Sequence, residues 1–220
     1  MAEHSNADVE GMRDYFEWRV QEVAASHGKQ VVFWEEVFDK GYRLRNDSVV
    51  NIWLGAENLP AAVKAGRRVV FSWGWYLDEQ HPDSQRYLES PTNPKGDLNF
   101  WEDTWKDFYL NDPMKAIAAQ NATLTSEEAA LIVGGEASQW GEQAAHWHLD
   151  SRIWPRAAAA AERLWSAADV NDTNAAEQRL ADFACRLVQR GVGASAIRPS
   201  QQYGYCRLPA NSSFLREPQW

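Results

Sequence analysis

The alternation of apolar and polar positions divides the chain into discrete pieces. Val9, Met12, Phe16, Val20, Val23 and Ala24 recur at helical spacing, and Gly28 follows as a stop. Val31 to Trp34 is a short apolar strand that runs into Glu35 and Glu36. Ser48 to Leu54 repeats the theme, with Trp53 near its end. Ala61 to Gly66 reads as a short helix, and Arg67 to Trp73 as a third strand leading into Gly74-Trp75-Tyr76-Leu77-Asp78. Residues 79–113 are polar and carry Trp101, Trp105, Phe108 and Tyr109, a pattern that predicts a long functional loop with short turns. Met114 to Gln120 forms a helical turn, and Ser126-Glu127-Glu128 opens the approach to a fourth strand. That strand, the apolar run Ala129 to Val133, leads into Gly134-Gly135-Glu136-Ala137-Ser138-Gln139-Trp140-Gly141-Glu142. Asp150 or Ser151 then caps a helix with Pro155 in its first turn and a body from Ala157 to Trp165. A last amphipathic helix places Leu180, Phe183, Ala184, Leu187 and Val188 on one face and stops at Gly191, and the tail from Gly193 is irregular.

The strands are short and continuously apolar, so both of their faces are expected to be buried, as in a parallel sheet. The fold class is therefore α/β. Trp34, Glu35 and Glu36, then Trp53, then Trp75, Tyr76 and Asp78, then Glu136, Trp140 and Glu142 all gather at the C-terminal ends of strands, where (β/α) barrels carry their sites. Four such strands are half of a barrel. Gly134 and Gly135 allow a close backbone approach or an unusual turn. An aromatic plate beside carboxylates suits a sugar ring, the plate covering its C–H face and the acids accepting from hydroxyls. Trp140 as core and Glu142 as a helix cap fit the same nonapeptide.

Composition narrows the classes. The 220 residues, 45% hydrophobic, are enough for a sizeable core, and a net charge of −9 argues against nucleic acid as a partner. No apolar run approaches the ~20 residues of a membrane span. Twelve tryptophans favour an aromatic-lined site. Sequons at Asn46, Asn121, Asn171 and Asn211 point to a glycoprotein of the lysosome or the extracellular space, where Cys185 and Cys206 would form a disulfide. The first twenty residues are too polar for a signal peptide, which such a protein would carry further upstream. His146 and His148, at i and i+2 without a third ligand, do not make a metal site, and no cofactor is expected.

Five blocks in order carry a resemblance: Val32 to Asp39; Trp75 to Asp78; Trp105 to Tyr109; Gly134 to Ala137 with Trp140 to Glu142; and Trp154 to Ala157 with Ala161 to Ser166. Together they resemble the β-N-acetylhexosaminidases of glycoside hydrolase family 20, most closely the eukaryotic lysosomal and secreted enzymes. The resemblance implies a partial (β/α)8 barrel of the TIM type, its last four strands and C-terminal helices, over residues 1–168. A terminal helix and a disulfide-tied tail follow over 169–220. The family's catalytic Asp-Glu pair lies in a His-x-Gly-Gly-Asp-Glu motif, which this sequence does not contain.

The resemblance also assigns roles. It implies substrate-assisted retention, in which the substrate's own 2-acetamido carbonyl attacks the anomeric carbon. Trp34, Trp53 and Trp140 match tryptophans that box the acetamido methyl and the sugar face, with Trp75 beside them. Tyr76 matches the tyrosine that donates to the acetamido oxygen, Glu142 the acceptor for O4 and O6, and Asp78 a position near O6. Asp78 followed by Glu79 should repel acidic sugars and favour neutral terminal β-linked N-acetylglucosamine or N-acetylgalactosamine. Glu35-Glu36 looks like an acid/base pair from the residues alone, but by the resemblance both are supporting acids, as is Glu136. Arg156, Glu162 and Arg163 read as an ion-pair network. The expected partners are amino-sugar glycans, an N-terminal half of the barrel and a second copy of the chain. The alternatives are a non-catalytic sugar-binding remnant and a homodimer of half barrels.

Overall fold

The computed structural model describes residues 6–78, 105–141, 144–197 and 206. Most of the segment expected to be a long loop, Glu142, Asn211 and nearly all of the tail lie outside the described residues. The chain divides into two compact units, one of residues 1–73 and 112–136, the other of residues 74–111 and 137–220.

The first unit holds a four-stranded parallel sheet in sequence order: β1 (Val32–Trp34), β2 (Val49–Ile52), β3 (Arg68–Phe71) and β4 (Ile132–Gly135). Register places Phe33, Val50 and Val69 side by side, with Ile52 beside Phe71. This face is buried under Leu59, Ala62 and Val63 of α3 (Asn58–Lys64). Each buried Val, Leu, Ile or Phe of this face contributes about 1.5–3 kcal/mol relative to an exposed one. The opposite face carries Trp34, Asn51, Val70 and Gly134 at one level.

Only β2 is buried on both faces. Val32 and Trp34 on β1 and Val133 on β4 are exposed, against the expectation for all four strands. The most exposed strands are those at the sheet edges, β1 and β4, while β3, with two neighbours, is half-buried on one face. Val133 is also the extra residue of a bulge, since Val69 pairs with Ile132 and Val70 with Gly134. Gly134 takes φ 154°, and the space beside its Cα is open, so the backbone turn and not close packing calls for glycine there.

Helix α1 (Asn6–Ser26) precedes the sheet and ends before Gly28, as its periodicity predicts. Its apolar stripe of Val9, Met12, Phe16 and Val23 is exposed. What ties the helix down is Gln21, fully buried. Its amide nitrogen donates to the carbonyls of Glu17 and Arg43, and its oxygen accepts from Arg45 N and Ser48 Oγ. Asp14 adds a bond from the Arg43 amide, and that bond and the Arg43 guanidinium hold its carboxyl below the usual carboxylate range. Helices α2 (Glu36–Asp39), α5 (Pro113–Ala119) and α6 (Ser126–Ala129) complete this unit. Thr125 and Glu128 form a capping box on α6, so the residues approaching β4 are a helical turn and the strand itself starts only at Ile132.

In the second unit, α4 (Trp105–Leu110) is a regular helix where a loop with short turns was expected. Trp105, Phe108 and Tyr109 sit at i, i+3 and i+4, and all three are buried. They pack against α8 (Arg156–Trp165), whose Ala159 and Ala160 allow the close approach that the alanine run predicts. The expected helix after Asp150 is two: α7 (Leu149–Ile153) and α8, separated by a cis Trp154–Pro155 bond, with Pro155 at the cap of α8. Asp150 lies inside α7 and accepts from Gly193 N at 3.3 Å. The arginines reach backbone oxygens: Arg156 donates to the carbonyls of Leu77 and Arg152, and Arg163 to that of Ala168. Glu162 takes the Tyr109 hydroxyl and Arg179. Helix α9 (Thr173–Gln189), capped by Asp172, buries Ala176, Leu180, Ala181 and Ala184, and Cys185 is disulfide-bonded to Cys206.

Candidate active site

Each unit carries its own group of the expected residues. In the first, Trp34 ends β1 and stands 42% exposed, and Trp53 follows β2, half-buried. Their rings meet edge to face, with centroids 5.4 Å apart and planes at 64°. Such a pair is worth about 0.5–1.5 kcal/mol beyond its area. Glu35, 2% exposed, fixes the backbone of this corner. Its Oε2 accepts from Trp53 N at 2.6 Å and Leu54 N at 3.0 Å, and its Oε1 from Asn58 Nδ2 at 2.9 Å. Glu36 Oε2 accepts from the Trp53 indole Nε1 at 2.9 Å. Both acids therefore hold Trp53, one by its main chain and the other by its ring. Glu35 has both oxygens engaged by donors, an arrangement for support and not for moving protons.

A second arrangement crosses three strands of the same unit. Ser72 Oγ donates to Asn51 Oδ1 at 2.7 Å, and Asn51 Nδ2 donates to Glu136 Oε1 at 2.9 Å. Asn51 and Ser72 are buried, so the chain satisfies polar atoms that would otherwise be costly. Sequence reasoning named Glu136 as a support but missed its partners. The signal was there: Asn51 is a lone amide inside the apolar run Val49–Ile52.

In the second unit, Tyr76 forms a parallel bridge to Ser138, with Ser138 N on Trp75 O and Leu77 N on Ser138 O. Tyr76 is 5% exposed. Gly74 adopts φ 80°, and a Cβ there would meet Asn111 at 2.7 Å, so this turn into Trp75 and Tyr76 requires glycine. Asp78 Oδ1 accepts from Trp140 N at 3.2 Å, tying together two residues expected at the sugar. Trp75 is buried as well. It is 1% exposed, and its indole N–H donates to Phe108 O at 2.8 Å. Glu142 lies outside the described residues.

The remaining candidates are plainly placed. Asn46, Asn121 and Asn171 are exposed and stand outside helices and strands. His148 Nε2 accepts from Ala145 N at 3.3 Å, and among the described residues no group of three His, Cys, Asp or Glu side chains is arranged to hold a metal ion. Among the same residues no helix is long and apolar enough to cross a membrane.

Four parallel strands with helices between them, and aromatic and acidic side chains where the strands end, fit a segment of an α/β barrel. The model for glycosyl hydrolase family 20, catalytic domain, matches residues 1–168, and the chain belongs to that family. It is 34% identical over 204 residues to β-hexosaminidase subunit A1 of Dictyostelium discoideum, covering 93% of this chain and 34% of that one. It is 36% identical over 188 residues to β-hexosaminidase 3 of Arabidopsis thaliana, covering 83% and 30%. Among solved structures, a chitobiase of Flavobacterium johnsoniae superposes with a TM-score of 0.64 at 33% identity, covering 83% of this chain and 25% of that one. The chain thus spans about a third or less of the length of these relatives.

Proposed function

We propose that this chain supplies the amino-sugar-holding part of a β-N-acetylhexosaminidase that removes terminal β-linked N-acetylglucosamine or N-acetylgalactosamine. The observation that carries the reading is the Trp34–Trp53 corner, clamped by two acids in a family 20 chain. An exposed aromatic corner with its rings fixed in advance suits the C–H face and acetamido methyl of such a sugar, since rigid surfaces lose little entropy on binding. In this reading Trp34 and Trp53 wall the sugar. Tyr76 donates its hydroxyl to the acetamido oxygen, and Trp140, Asp78 and Glu142 contact the sugar. The acetamido group acts as the nucleophile, and its positioning carries much of the barrier reduction. Asp78 favours neutral sugars by repelling acidic ones.

The sequence lacks the family's His-x-Gly-Gly-Asp-Glu motif. The catalytic acid accordingly comes from an N-terminal half of the barrel, and an assembly through a second copy is compatible with this. The exposed sequon asparagines and the disulfide support a glycoprotein of the lysosome or the extracellular space. The test is hydrolysis of a chromogenic β-N-acetylglucosaminide by the 220-residue chain, alongside binding of N-acetylglucosamine, each with a Tyr76→Phe control. Binding without turnover, weakened in Tyr76→Phe, is expected. Turnover lost in Tyr76→Phe would place the acid within this chain. Absence of binding would refute the holding role.

A further inference from the structure

We propose that Glu36 is a positioning and specificity-determining residue that makes Trp53 a donor-free wall for the amino sugar. The inference rests on the reading of Trp53 as a sugar-facing residue and deepens it. Two consecutive carboxylates at the end of β1 grip one residue at the end of β2. Glu35 holds Trp53 N at 2.6 Å, and Glu36 holds the indole Nε1 at 2.9 Å. The main chain and the far end of the ring are thus fixed separately, and Trp34 closes one side at 5.4 Å.

The chemistry follows from the indole. It has a single N–H and no acceptor, so with that proton on Glu36 the ring offers a ligand only its π face and its C–H edge. A methyl or the C–H face of a ring is at home against such a wall. A hydroxyl placed there would lose its water and gain no partner. Glu36 therefore selects for the acetamido group in two ways: it sets the angle of the ring and it removes the one group on the ring that could bind a hydroxyl. Glu36 is itself exposed and touches no reacting atom in this role, and the buried Glu35 does not reach the ring.

The experiment uses the 220-residue chain with ¹⁵N-labelled indoles, the Trp53 signal being assigned by its loss in Trp53→Ala. The probe is N-acetylglucosamine. In Glu36→Ala the Trp53 indole signal is expected to move, and the Kd for N-acetylglucosamine to rise about tenfold as the ring loses its pre-set angle. Glu36→Gln keeps a carbonyl acceptor and should stay within about threefold of the parent. Adding Glu36→Ala to Trp53→Ala should weaken binding no further. If the indole signal is unmoved in Glu36→Ala, or if it moves while affinity holds and Trp53→Ala still loses binding, the role of Glu36 is overturned and the wall reading stands. If Trp53→Ala binds like the parent, or the parent does not bind, the wall reading falls and this inference falls with it.

Discussion

Replacing Glu35 by alanine should make the first unit unfold more easily. The side chain is 2% exposed and accepts three N–H bonds: from Trp53 N, Leu54 N and Asn58 Nδ2. Asn58 is half-exposed and can recover a bond from water, so the cost lies with the two backbone donors. Both bonds are part-buried and Leu54 is itself 53% exposed, so each donor sits at the low end of the about 1–3 kcal/mol that an unpaired donor costs, about 2 kcal/mol for the pair. Glu35→Gln behaves differently. Its amide oxygen can keep both backbone bonds, and Asn58 can turn its own amide to meet the new NH₂, so only charge assistance is lost, about 1 kcal/mol. The assay is urea unfolding followed by far-ultraviolet circular dichroism, with Glu57→Ala on the exposed start of the next helix as the reference. With a urea dependence of about 3 kcal/mol per molar for a chain of this size, Glu35→Ala should lower the midpoint by about 0.7 M and Glu35→Gln by about 0.3 M. A midpoint for Glu35→Ala no lower than that of Glu57→Ala would refute the claim that this carboxylate anchors the turn after β2.

Two further predictions concern the second unit. The disulfide joins residues 21 apart, so reduction or Cys206→Ser should destabilise the chain by about 3 kcal/mol, visible as a lower unfolding midpoint in reductant. Burial and the hydrogen bond to Glu162 raise the Tyr109 hydroxyl above its usual value of 10.0. A raised value in the folded state favours the protonated form. The resulting stability is complete below about pH 10, and is lost as pH rises through the folded value. Tyr109→Phe should flatten that alkaline loss in thermal unfolding, and should remove one late step from the tyrosinate absorbance titration.

The parts of this fold that were legible in the sequence are those fixed by local pattern. The four strands, the α9 stripe and the stops at Gly28, Gly66 and Gly191 follow from runs and periodicities, and the glycines do take positive φ. Helix α4 was equally local, since Trp105, Phe108 and Tyr109 are spaced for a helix, but the polar segment before it hid the pattern. The site was only half legible. Trp53 and Trp75 look alike in sequence, each an aromatic near the end of a strand. What separates them is the partner of the indole N–H: a carboxylate at the surface for Trp53, a helix carbonyl in the core for Trp75. Those partners lie 17 and 33 residues away, beyond the reach of any local pattern. For the same reason Glu35-Glu36 imitates an acid/base pair until the N–H groups it serves are seen.

Gln21 has a consequence for the chemical ageing of the chain. Its socket offers two carbonyls on one side and two donors on the other, so only a side chain with an NH₂ and an oxygen fits it. Hydrolysis of that amide to glutamate would keep the oxygen and lose both donors, turning a carboxylate oxygen toward the carbonyls of Glu17 and Arg43. A single deamidation, changing the mass by about one dalton and no atom of the apolar core, would then loosen α1 from the turn that leads into β2.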